Sequence, residues 1–546
     1  MATTQVKVDN EQFMRTSGAL DAVWVHTFPY SKIPKFPKLN KDLDTGVLVI
    51  GSGISGVSIA YELVKSGAKV TMIEARDMLS GETGRTSGHL SSDLDSCYRD
   101  IVSKHGKEGA RIAAESQQWA VERIGQIAKE IGIECEYRKL RSYTVSEHER
   151  GTKEHDDDTE ELKKEAETEA ELGLHCKYDS ELTIKGWSGS VDQRGGIVYE
   201  DHATFHPTKY VAGILEWLKK QPNFEGYSRT RAINIEQKGF NIPIVNVHIG
   251  EKAVETTTED GNTIHASAVV EATVIPLQKL SLIVEQEWMR TYCIAIRMPK
   301  DTIEDCLIYD SADAYKYGRL TACDDKDNYF ILGGCDEAVG QHDDYDARYA
   351  ELEEWTRKRF PQAGSVDYRW SGQVFEPVDL VAYIGRATGQ DRIYVVTGDS
   401  GNGLTHGTIA GQLIPDLILD RPNKWQELYD PQKRMGSIIK SLPHMVAHDV
   451  QVNAQYKRFL QSDIKDIEDL GIGKGGVLNG ATSKPLAVYK DESGQVHKMS
   501  AICPHLKGVV CWNDSEKSWD CPIHGSRFAR DGTAICGPTK AGLAAA

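Results

Sequence analysis

The sequence has no long apolar segment. Nowhere among its 546 residues do about 18 apolar residues follow one another, the length that a membrane-spanning helix needs. The first residues, MATTQVKVDNEQF, lack the basic start and apolar run of a secretory signal, and the final GLAAA matches no retention or peroxisomal signal. We therefore expect a cytoplasmic protein that has no membrane partner.

The sequence is also poor in positive charge. Its 64 lysine and arginine residues are outnumbered by 81 aspartate and glutamate residues, so the net charge is −17. Binding to nucleic-acid phosphates needs clusters of lysine and arginine, so we expect no nucleic acid among the partners. Hydrophobic residues at 40% and charged residues at 27% are ordinary for a globular protein, and this composition leaves homo-oligomer formation open.

The cysteines do not show the pattern of a disulfide framework. There are eleven, an odd number, and most of them are scattered singly between Cys97 and Cys335. Such spacing is typical of free thiols in a reducing compartment. The last four cysteines lie close together near the C-terminus, where histidines accompany them.

The first half of the chain has the pattern of an α/β domain. Apolar runs at 46–50 and 69–73 flank a helical pattern at 55–66, which predicts a βαβ unit. Residues 107–131 and 404–419 also have helical periodicity. Residues 225–275 have the pattern of successive strands, which predicts an inserted antiparallel part.

The texture of the chain changes after Ile418. A charged, proline-containing stretch over 420–445 has the composition of a linker, and short strands, turns and clustered Cys and His follow from about residue 460. This change predicts a small separate β domain. The predicted units are a large domain at 1–430, a linker at 431–458 and a small all-β domain at 459–546.

A dinucleotide cradle follows the first predicted strand. In Gly51-Ser-Gly53-Ile-Ser-Gly56, the glycines permit a tight turn, backbone approach to a pyrophosphate and close helix packing. The helix N-terminus offers N–H donors to the anion. Glu74, which ends the second strand, is placed to accept hydrogen bonds from a ribose 2′-hydroxyl. Because only one such cradle is present, FAD is favoured over NAD.

The C-terminal domain carries a Cys/His pattern of its own. Cys503-Pro-His505 is followed, after the fifteen residues 506–520, by Cys521-Pro-Ile-His524. Two loops with one Cys and one His each can place two thiolates on one iron and two imidazoles on the other, as in a Rieske cluster. The alternative is a Cys₂His₂ zinc site, but zinc fingers pair Cys with Cys and His with His.

The first 430 residues resemble the D-amino-acid-oxidase/glycine-oxidase family of FAD oxidoreductases. The segments that carry the resemblance are VLVIGSGISGVSIAYEL (47–63), VTMIEAR (70–76), GETGRTSGHLS (81–91), ASAVVEAT (266–273) and VTGDSGNGLTHGTIAG (396–411). The expected fold is therefore α/β: a Rossmann-like FAD-binding domain with an inserted antiparallel-sheet substrate domain, and a small all-β C-terminal Rieske domain.

The resemblance implies where FAD is bound. Arg85, Thr86 and Ser87 would lie along the FAD near its ring, Ala232 would meet the adenine end through its backbone, and the segment around Asp399 would close the pyrimidine end. Some relatives attach the flavin through a histidine at the position of Arg85, so non-covalent FAD is expected here. The full set of residues predicted to bind FAD is Gly51, Gly53, Ile54, Ser55, Gly56, Glu74, Ala75, Arg76, Arg85, Thr86, Ser87, His89, Ala232, Ala272, Thr273, Asp399, Gly401, Asn402, Gly403, Leu404 and Thr405.

The Rieske-like loops depart from the high-potential respiratory type in one respect. Those proteins carry an extra cysteine in each cluster loop, joined as a disulfide, whereas the corresponding positions here are Gly508 and Ile523. The resemblance therefore implies the ferredoxin or oxygenase type, with a lower potential. Cys511 and Cys536 are expected to be buried thiols and not ligands.

The substrate site is less strongly indicated. Oxidation of a C–N bond needs the substrate carbon held over the flavin, and an amino-acid substrate also needs a cation for its carboxylate. Position in the family suggests Tyr317 and Arg319, and further candidates are Arg290, Arg386 and His406. Each of these could equally be a structural residue.

Three functions are compatible with this pattern. The first is oxidation of an amine or amino-acid-like substrate, with electrons passing from FAD to a [2Fe–2S] cluster and on to an external acceptor. In the second, an external donor feeds electrons through the cluster to the FAD for a monooxygenation or oxidative tailoring reaction. The third is a non-catalytic redox or iron sensor. For efficient transfer, His505 or His524 should face the FAD domain of this chain or of a partner subunit.

Overall fold

The computed structural model describes Thr16 and residues 19–242, 247–277, 286–342, 344–432, 451–480 and 484–546. Most of the predicted linker at 431–458 lies outside the described residues, so the predicted domain boundaries stay predictions. Within the described ranges, no helix is both long and apolar enough to cross a membrane. All eleven cysteines are free thiols.

Strands and helices alternate in the order expected of an α/β protein. The strands, numbered along the chain, are β1 (Leu43–Ile50), β2 (Val70–Ile73), β3 (His89–Leu90), β4 (Arg138–Val145), β5 (Cys176–Asp179), β6 (Gly196–Thr204), β7 (Phe224–Tyr227), β8 (Ala232–Ile242), β9 (Val247–Thr258), β10 (Thr263–Val274), β11 (Gln286–Pro299), β12 (Leu307–Asp310), β13 (Tyr317–Ala322), β14 (Asp327–Ala338), β15 (Val366–Pro377), β16 (Tyr383–Arg386), β17 (Ile393–Thr397), β18 (Lys474–Leu478), β19 (Leu486–Lys490), β20 (Val496–Ser500), β21 (Cys511–Asn513), β22 (Ser518–Asp520), β23 (Arg527–Ala529) and β24 (Ala534–Cys536). The α-helices are α1 (Ile54–Lys65), α2 (Tyr98–Glu130), α3 (Lys153–Leu172), α4 (Pro207–Leu218), α5 (Tyr345–Arg359), α6 (Gly403–Ile418) and α7 (Gln426–Tyr429).

The first sheet has the Rossmann-like arrangement that the sequence predicts. Its strands lie in the order β16-β17-β10-β1-β2-β7, and all neighbouring pairs except β16 with β17 are parallel. The hairpin β8-β9 joins this sheet through β9, which pairs antiparallel with β10. Parallel strands that are buried on both faces read as continuous apolar runs, as the end of β1 does.

Helices α1 and α6 pack closely against each other beside this sheet. A Cβ atom at Gly407 would lie 2.7 Å from Ser55 Oγ, and one at Gly411 would lie 2.7 Å from Ser58 Cβ. Two glycines one turn apart therefore give α6 the smooth face that this approach requires. The predicted helices at 55–66 and 404–419 are confirmed within one residue. The helix predicted at 107–131 begins earlier, because α2 starts at Tyr98. A kink at Gly106, whose φ is +75°, separates this additional N-terminal part from the predicted part.

A second sheet of nine strands forms the inserted part. Its order is β15-β11-β14-β13-β12-β4-β6-β3, with β5 on the edge of β6, and all pairs except β12 with β4 are antiparallel. This confirms the predicted antiparallel part, although its strands come from 89–204 and 286–377. All the strands that the structure describes within 225–275, β7 to β10, belong to the first sheet instead.

The C-terminal part is all-β, as predicted. Strands β18-β19-β20 form one small antiparallel sheet, and β21-β22-β23-β24 form another. A single apolar cluster that includes Val477, Trp519 and Phe528 fills the space inside. Cys503 and Cys521, the two cysteines predicted to bind the iron–sulfur cluster, belong to this same apolar group.

A buried ion pair joins the C-terminal domain to the neighbouring antiparallel strands β11 and β15. Arg290 Nη2 lies 3.2 Å from Asp520 Oδ2, and both side chains are about 1% exposed or less. Burial alone would raise the pKa of Asp520, yet Arg527 and Arg290 hold it below its ordinary value. Nearby, Glu516 accepts a hydrogen bond from Ser371.

Removal of the Arg290 guanidinium tests how strongly this docking contributes to stability. In Arg290→Ala the Asp520 carboxylate loses its partner across the interface but keeps Arg527, so we expect the free energy of unfolding to fall by about 1.5–3 kcal/mol. The control Arg369→Ala breaks a surface pair with Asp346 and should cost less than about 1 kcal/mol. Denaturant unfolding followed by tryptophan fluorescence measures both, and equal losses would contradict the assignment.

Candidate functional site

The turn between β1 and α1 has the geometry of a dinucleotide cradle. Gly51 has a φ of +107°, and a Cβ atom there would lie 2.2 Å from the carbonyl oxygen of Ala272. A Cβ atom at Gly56 would lie 2.0 Å from the carbonyl oxygen of Gly51. Both positions therefore require glycine. Gly53, Ile54 and Ser55 at the N-terminus of α1 line the cavity, where backbone N–H groups can meet an anion; the Ile54 N–H itself donates to Thr83 Oγ1 at 3.1 Å.

Glu74 lies at the end of β2, where the ribose is expected. Its Oε2 accepts hydrogen bonds from the Ser52 backbone N–H at 3.1 Å and from the Ser52 hydroxyl at 2.8 Å. Its Oε1 accepts one from the Arg76 backbone N–H at 3.0 Å. These three donors fix the carboxylate at the wall of the cavity.

The residues predicted to bind FAD surround one continuous cavity of about 290 Å³. All of them except Gly56, which lies behind the turn, are among its lining residues. They reach the cavity from six separate segments of the chain, as the resemblance implies. Their contacts with FAD remain predictions.

The polar groups of this cavity fit a flavin nucleotide. Asp399 Oδ1 is buried and, in the part of the chain that the structure describes, has no hydrogen-bond partner. Burial raises the pKa of Asp399 to about 7, so the carboxyl group can hold a proton and donate it to an acceptor atom. Buried polar atoms without a protein partner mark positions that a polar ligand satisfies.

Tyr317 is the one predicted substrate residue that lines the cavity among the residues described. It begins β13 and pairs across the strands with Gly333, where a Cβ atom would lie 2.2 Å from the tyrosine ring. The ring therefore lies flat over the glycine. Its hydroxyl lies 2.7 Å from the hydroxyl of Thr291.

Arg319 lies behind the cavity wall and does not line the cavity formed by the described residues. Its Nη1 donates hydrogen bonds to the carbonyl oxygens of Gly88 at 2.7 Å and Phe205 at 2.9 Å. The guanidinium lies 5.5 Å from the centre of the Trp24 ring. Burial lowers the pKa of Arg319 to about 9. These contacts give it a structural role in holding the 87–88 backbone.

The remaining three candidates also lie away from the cavity lining that the structure describes. Arg290 forms the ion pair with Asp520 in the domain interface. Arg386 stacks on Tyr394 at 5.7 Å. His406 is buried within α6. A direct contact of these residues with substrate is therefore not favoured by the geometry.

Several cavity residues were missed by the sequence analysis. They are Tyr309, Tyr315, Asp95, Asp336 and Thr291. A weak signal existed for one of them, because Tyr315 precedes Tyr317 by two residues and alternate residues of an extended chain share a face. No local pattern marks the two aspartates, which come from segments more than 200 residues apart.

The four predicted cluster ligands are brought together by two loops. The thiols of Cys503 and Cys521 are buried at 1% and 3% exposure, and the rings of His505 and His524 have centroids 5.1 Å apart. Across the described residues, no three or more His, Cys, Asp or Glu side chains converge as the ligands of one ion. A two-iron cluster needs only two protein ligands on each iron, so the arrangement fits a Rieske cluster better than zinc.

The two cluster loops touch where high-potential proteins carry their disulfide. A Cβ atom at Gly508 would lie only 2.3 Å from Ile523 Cγ1. At this position Gly508 packs against Ile523 in place of a disulfide. Cys511 and Cys536 are free thiols outside the ligand set, and Cys511 Sγ donates to the Gly340 carbonyl at 3.0 Å.

One side chain links the FAD cavity to a cluster loop. Gln373 lines the cavity, and its Nε2 donates to the carbonyl oxygen of Gly525 at 2.8 Å. Its Oε1 lies 3.4 Å from Cys536 Sγ. Next to Gly525, His524 packs edge-on against Trp288 of β11 at 6.0 Å. Of the two histidines, His524 is thus the one that faces the FAD domain of this chain.

Comparisons with known proteins agree with both sites. The model of the family described as FAD dependent oxidoreductase (DAO) matches residues 46–417, and that of the Rieske [2Fe-2S] domain matches residues 464–545. A Bacillus subtilis (strain 168) protein, YhfW, described as a Rieske 2Fe-2S iron-sulfur protein, is 27% identical over 512 residues, which cover 93% of this chain and 94% of that one.

Two further relatives resemble the larger part of the chain. Gamma-glutamylputrescine oxidoreductase of Escherichia coli (strain K12) is 24% identical over 422 residues, 72% of this chain and 89% of that one. The structure of glycine oxidase from Geobacillus kaustophilus has a TM-score of 0.56 at 17% identity and covers 70% of this chain and 96% of that one, which shows a common fold. The chain therefore belongs to the FAD-dependent oxidoreductase (DAO) family, carries a C-terminal Rieske domain, and has FAD and a [2Fe–2S] cluster as its cofactors.

Proposed function

We propose that this enzyme oxidises an amine or amino-acid-like substrate at a C–N bond and passes the electrons through its Rieske centre to an external acceptor. The substrate would lose a hydride from carbon and a proton from nitrogen, so that C–N becomes C=N. FAD, when bound, takes up the electron pair, and the [2Fe–2S] cluster, when bound, carries one electron at a time.

The observation that carries this proposal is the contact between the two cofactor sites. Gln373 lines the FAD cavity and also donates a hydrogen bond to Gly525, which is next to the predicted cluster ligand His524. Ile535, Cys536 and Gly537 of the C-terminal domain also line that cavity. Because both domains belong to one chain, each cofactor site is present at a high effective concentration relative to the other.

The surface of the Rieske domain supports an external partner. His524 is buried at 5% exposure against the FAD domain, whereas His505 is half-buried. Beside His505, Leu506 is 38% exposed. The two imidazoles therefore differ in access: one faces inward and the other is open to a soluble electron acceptor or donor.

An anaerobic titration of the purified holoenzyme with amines and amino acids tests the direction of flow. We expect a substrate to bleach the flavin absorbance first, and the low-temperature EPR signal of the reduced cluster to rise afterwards, because hydride transfer precedes single-electron transfer. If reduced ferredoxin, and no amine, reduces the flavin, the cluster feeds the flavin instead. If neither does so, a sensor role is favoured.

Gln373→Leu tests the contact between the two sites. The variant loses the hydrogen bond to Gly525, worth about 1 kcal/mol, so reduction of the cluster after flavin bleaching should slow by a factor of about two to ten. Flavin reduction itself should change less. Stopped-flow absorbance follows both steps separately.

A matched control exists for that substitution. Gln362 donates from Nε2 to the carbonyl oxygen of Gly186 at 3.0 Å, the same kind of bond far from the interface. Gln362→Leu should leave the rate of cluster reduction unchanged. A similar slowing in both variants would show that the Gln373 contact has no special part in electron transfer.

The absence of a disulfide between the cluster loops predicts a low potential. Because Gly508 and Ile523 hold no cross-link, we expect the cluster to have a midpoint potential in the lower part of the range of about −150 to +300 mV that Rieske centres span. An EPR-monitored redox titration measures it. A value close to the upper limit would refute this expectation.

A further inference from the structure

Four aromatic side chains in the wall of the FAD cavity contact one another in a closed ring. The ring of His89 lies 5.5 Å from the rings of both Tyr309 and Tyr317. Tyr315 completes this closed ring, at 6.2 Å from Tyr309 and 5.6 Å from Tyr317. Burial lowers the pKa of His89 to about 3, so its imidazole is neutral. We call these four side chains the aromatic chamber.

Two carboxyl groups adjoin the aromatic chamber and also line the cavity. Asp95 accepts a hydrogen bond from the Tyr315 hydroxyl at 2.5 Å. Asp336 Oδ1 is buried and has no hydrogen-bond partner among the residues the structure describes. Burial, and to a smaller extent the neighbouring Asp95, raise the pKa of Asp336 to about 7. A bound cation would supply the missing counter-charge.

The arginines that line the cavity are engaged elsewhere. Arg85 donates from Nε to the Ser371 carbonyl oxygen and from Nη1 to the Leu20 carbonyl oxygen. Its Nη2 has no hydrogen bond within the described residues, and its charge is paired with Glu516 at 3.6 Å. Arg76 donates to the Ser80 carbonyl oxygen. The third, Arg231, donates to a carbonyl oxygen of β24 at 3.2 Å. No lysine lines the cavity in the described part of the chain.

The basic residues nearest the aromatic chamber in sequence point away from the cavity. Lys316, between two chamber tyrosines, pairs with Glu351 at 3.0 Å. Arg319 is bound to backbone carbonyl oxygens behind Gly88. A substrate carboxylate would therefore meet two acids and no available cation within the described residues. A bidentate arginine is the usual partner of a bound carboxylate, and the chamber lacks it.

We infer that the aromatic chamber and Asp336 select an alkylammonium substrate that carries no carboxylate beside its reacting nitrogen. Aromatic faces attract organic cations, and a buried carboxylate adds charge complementarity. A substrate carboxylate would find no counter-charge in the same groups. This inference rests on the proposed oxidation of a C–N bond, since it names the class of amine that the same site accepts.

Binding of ions that cannot react tests the inference without turnover. Flavin difference spectra of the holoenzyme would be recorded with tetramethylammonium and, separately, with acetate. We expect tetramethylammonium to perturb the spectrum and to bind at least about tenfold more tightly than acetate, because only the cation gains ring and carboxylate contacts. Tighter binding of acetate would overturn the inference, whatever the turnover results are.

Matched substrate pairs then test turnover. Each pair joins an amino acid to the amine that lacks its carboxylate: ornithine and putrescine, lysine and cadaverine, proline and pyrrolidine, sarcosine and dimethylamine. We expect faster anaerobic bleaching of the flavin by the amine of at least one pair. Faster bleaching by the amino acids would overturn the inference and leave the proposed oxidation intact. If no compound bleaches the flavin, the proposed oxidation fails, and the ion-binding result alone decides the inference.

Substitutions in the chamber locate the effect. Asp336→Asn keeps the size of the side chain and removes its charge, so tetramethylammonium affinity should fall about tenfold. Tyr317→Leu should have a comparable effect, whereas Tyr317→Phe keeps the ring and should retain most of the affinity. The control Asp346→Asn removes a surface carboxylate outside the cavity lining and should change nothing. FAD and iron content confirm folding, and unchanged affinity in Asp336→Asn with both cofactors bound would contradict the inference.

Discussion

The antiparallel pairing of β11 with β15 is the constraint on which both cofactor sites depend. It places Arg290 opposite Gln373 and Tyr292 opposite Ser371. Ser371 and Gln373, two residues apart, point to the same face of the sheet, and both bind the Rieske domain. The strand that closes the FAD cavity therefore also carries the docking surface, and a shift of register by one residue would disrupt both.

Local chemistry was predictable from the sequence, and long-range geometry was not. The glycines of the cradle and the two Cys/His loops are short patterns whose chemistry needs those residues at those spacings. The buried pair of Arg290 with Asp520 joins residues 230 positions apart. No periodicity or composition signals such a contact, because it depends on how two distant parts of the chain pack together. Asp95 and Asp336 could not be predicted for the same reason, because they meet at the cavity from distant parts of the chain.

The arginine candidates show a second limit of sequence reasoning. Arg319 and Arg290 occur in strands near the expected site, but the face to which each side chain points depends on strand register. An irregularity between Arg290 and Tyr292 shifts the register of β11 against β14. Arg290 consequently serves the domain interface. Among the described residues, therefore, neither arginine lines the cavity beside Asp95 and Asp336.

Gly525 marks how tightly the two domains are matched. Its φ is +63°, and a Cβ atom there would lie 2.4 Å from Gln373 Nε2 and 3.0 Å from Trp288 Cε3. Any side chain at this position would push the two domains apart next to the predicted ligand His524. A Rieske module from another protein could not be grafted onto this flavoprotein unless it brought the same glycine and the acids that meet Arg290 and Ser371. The interface therefore constrains the sequence of both domains.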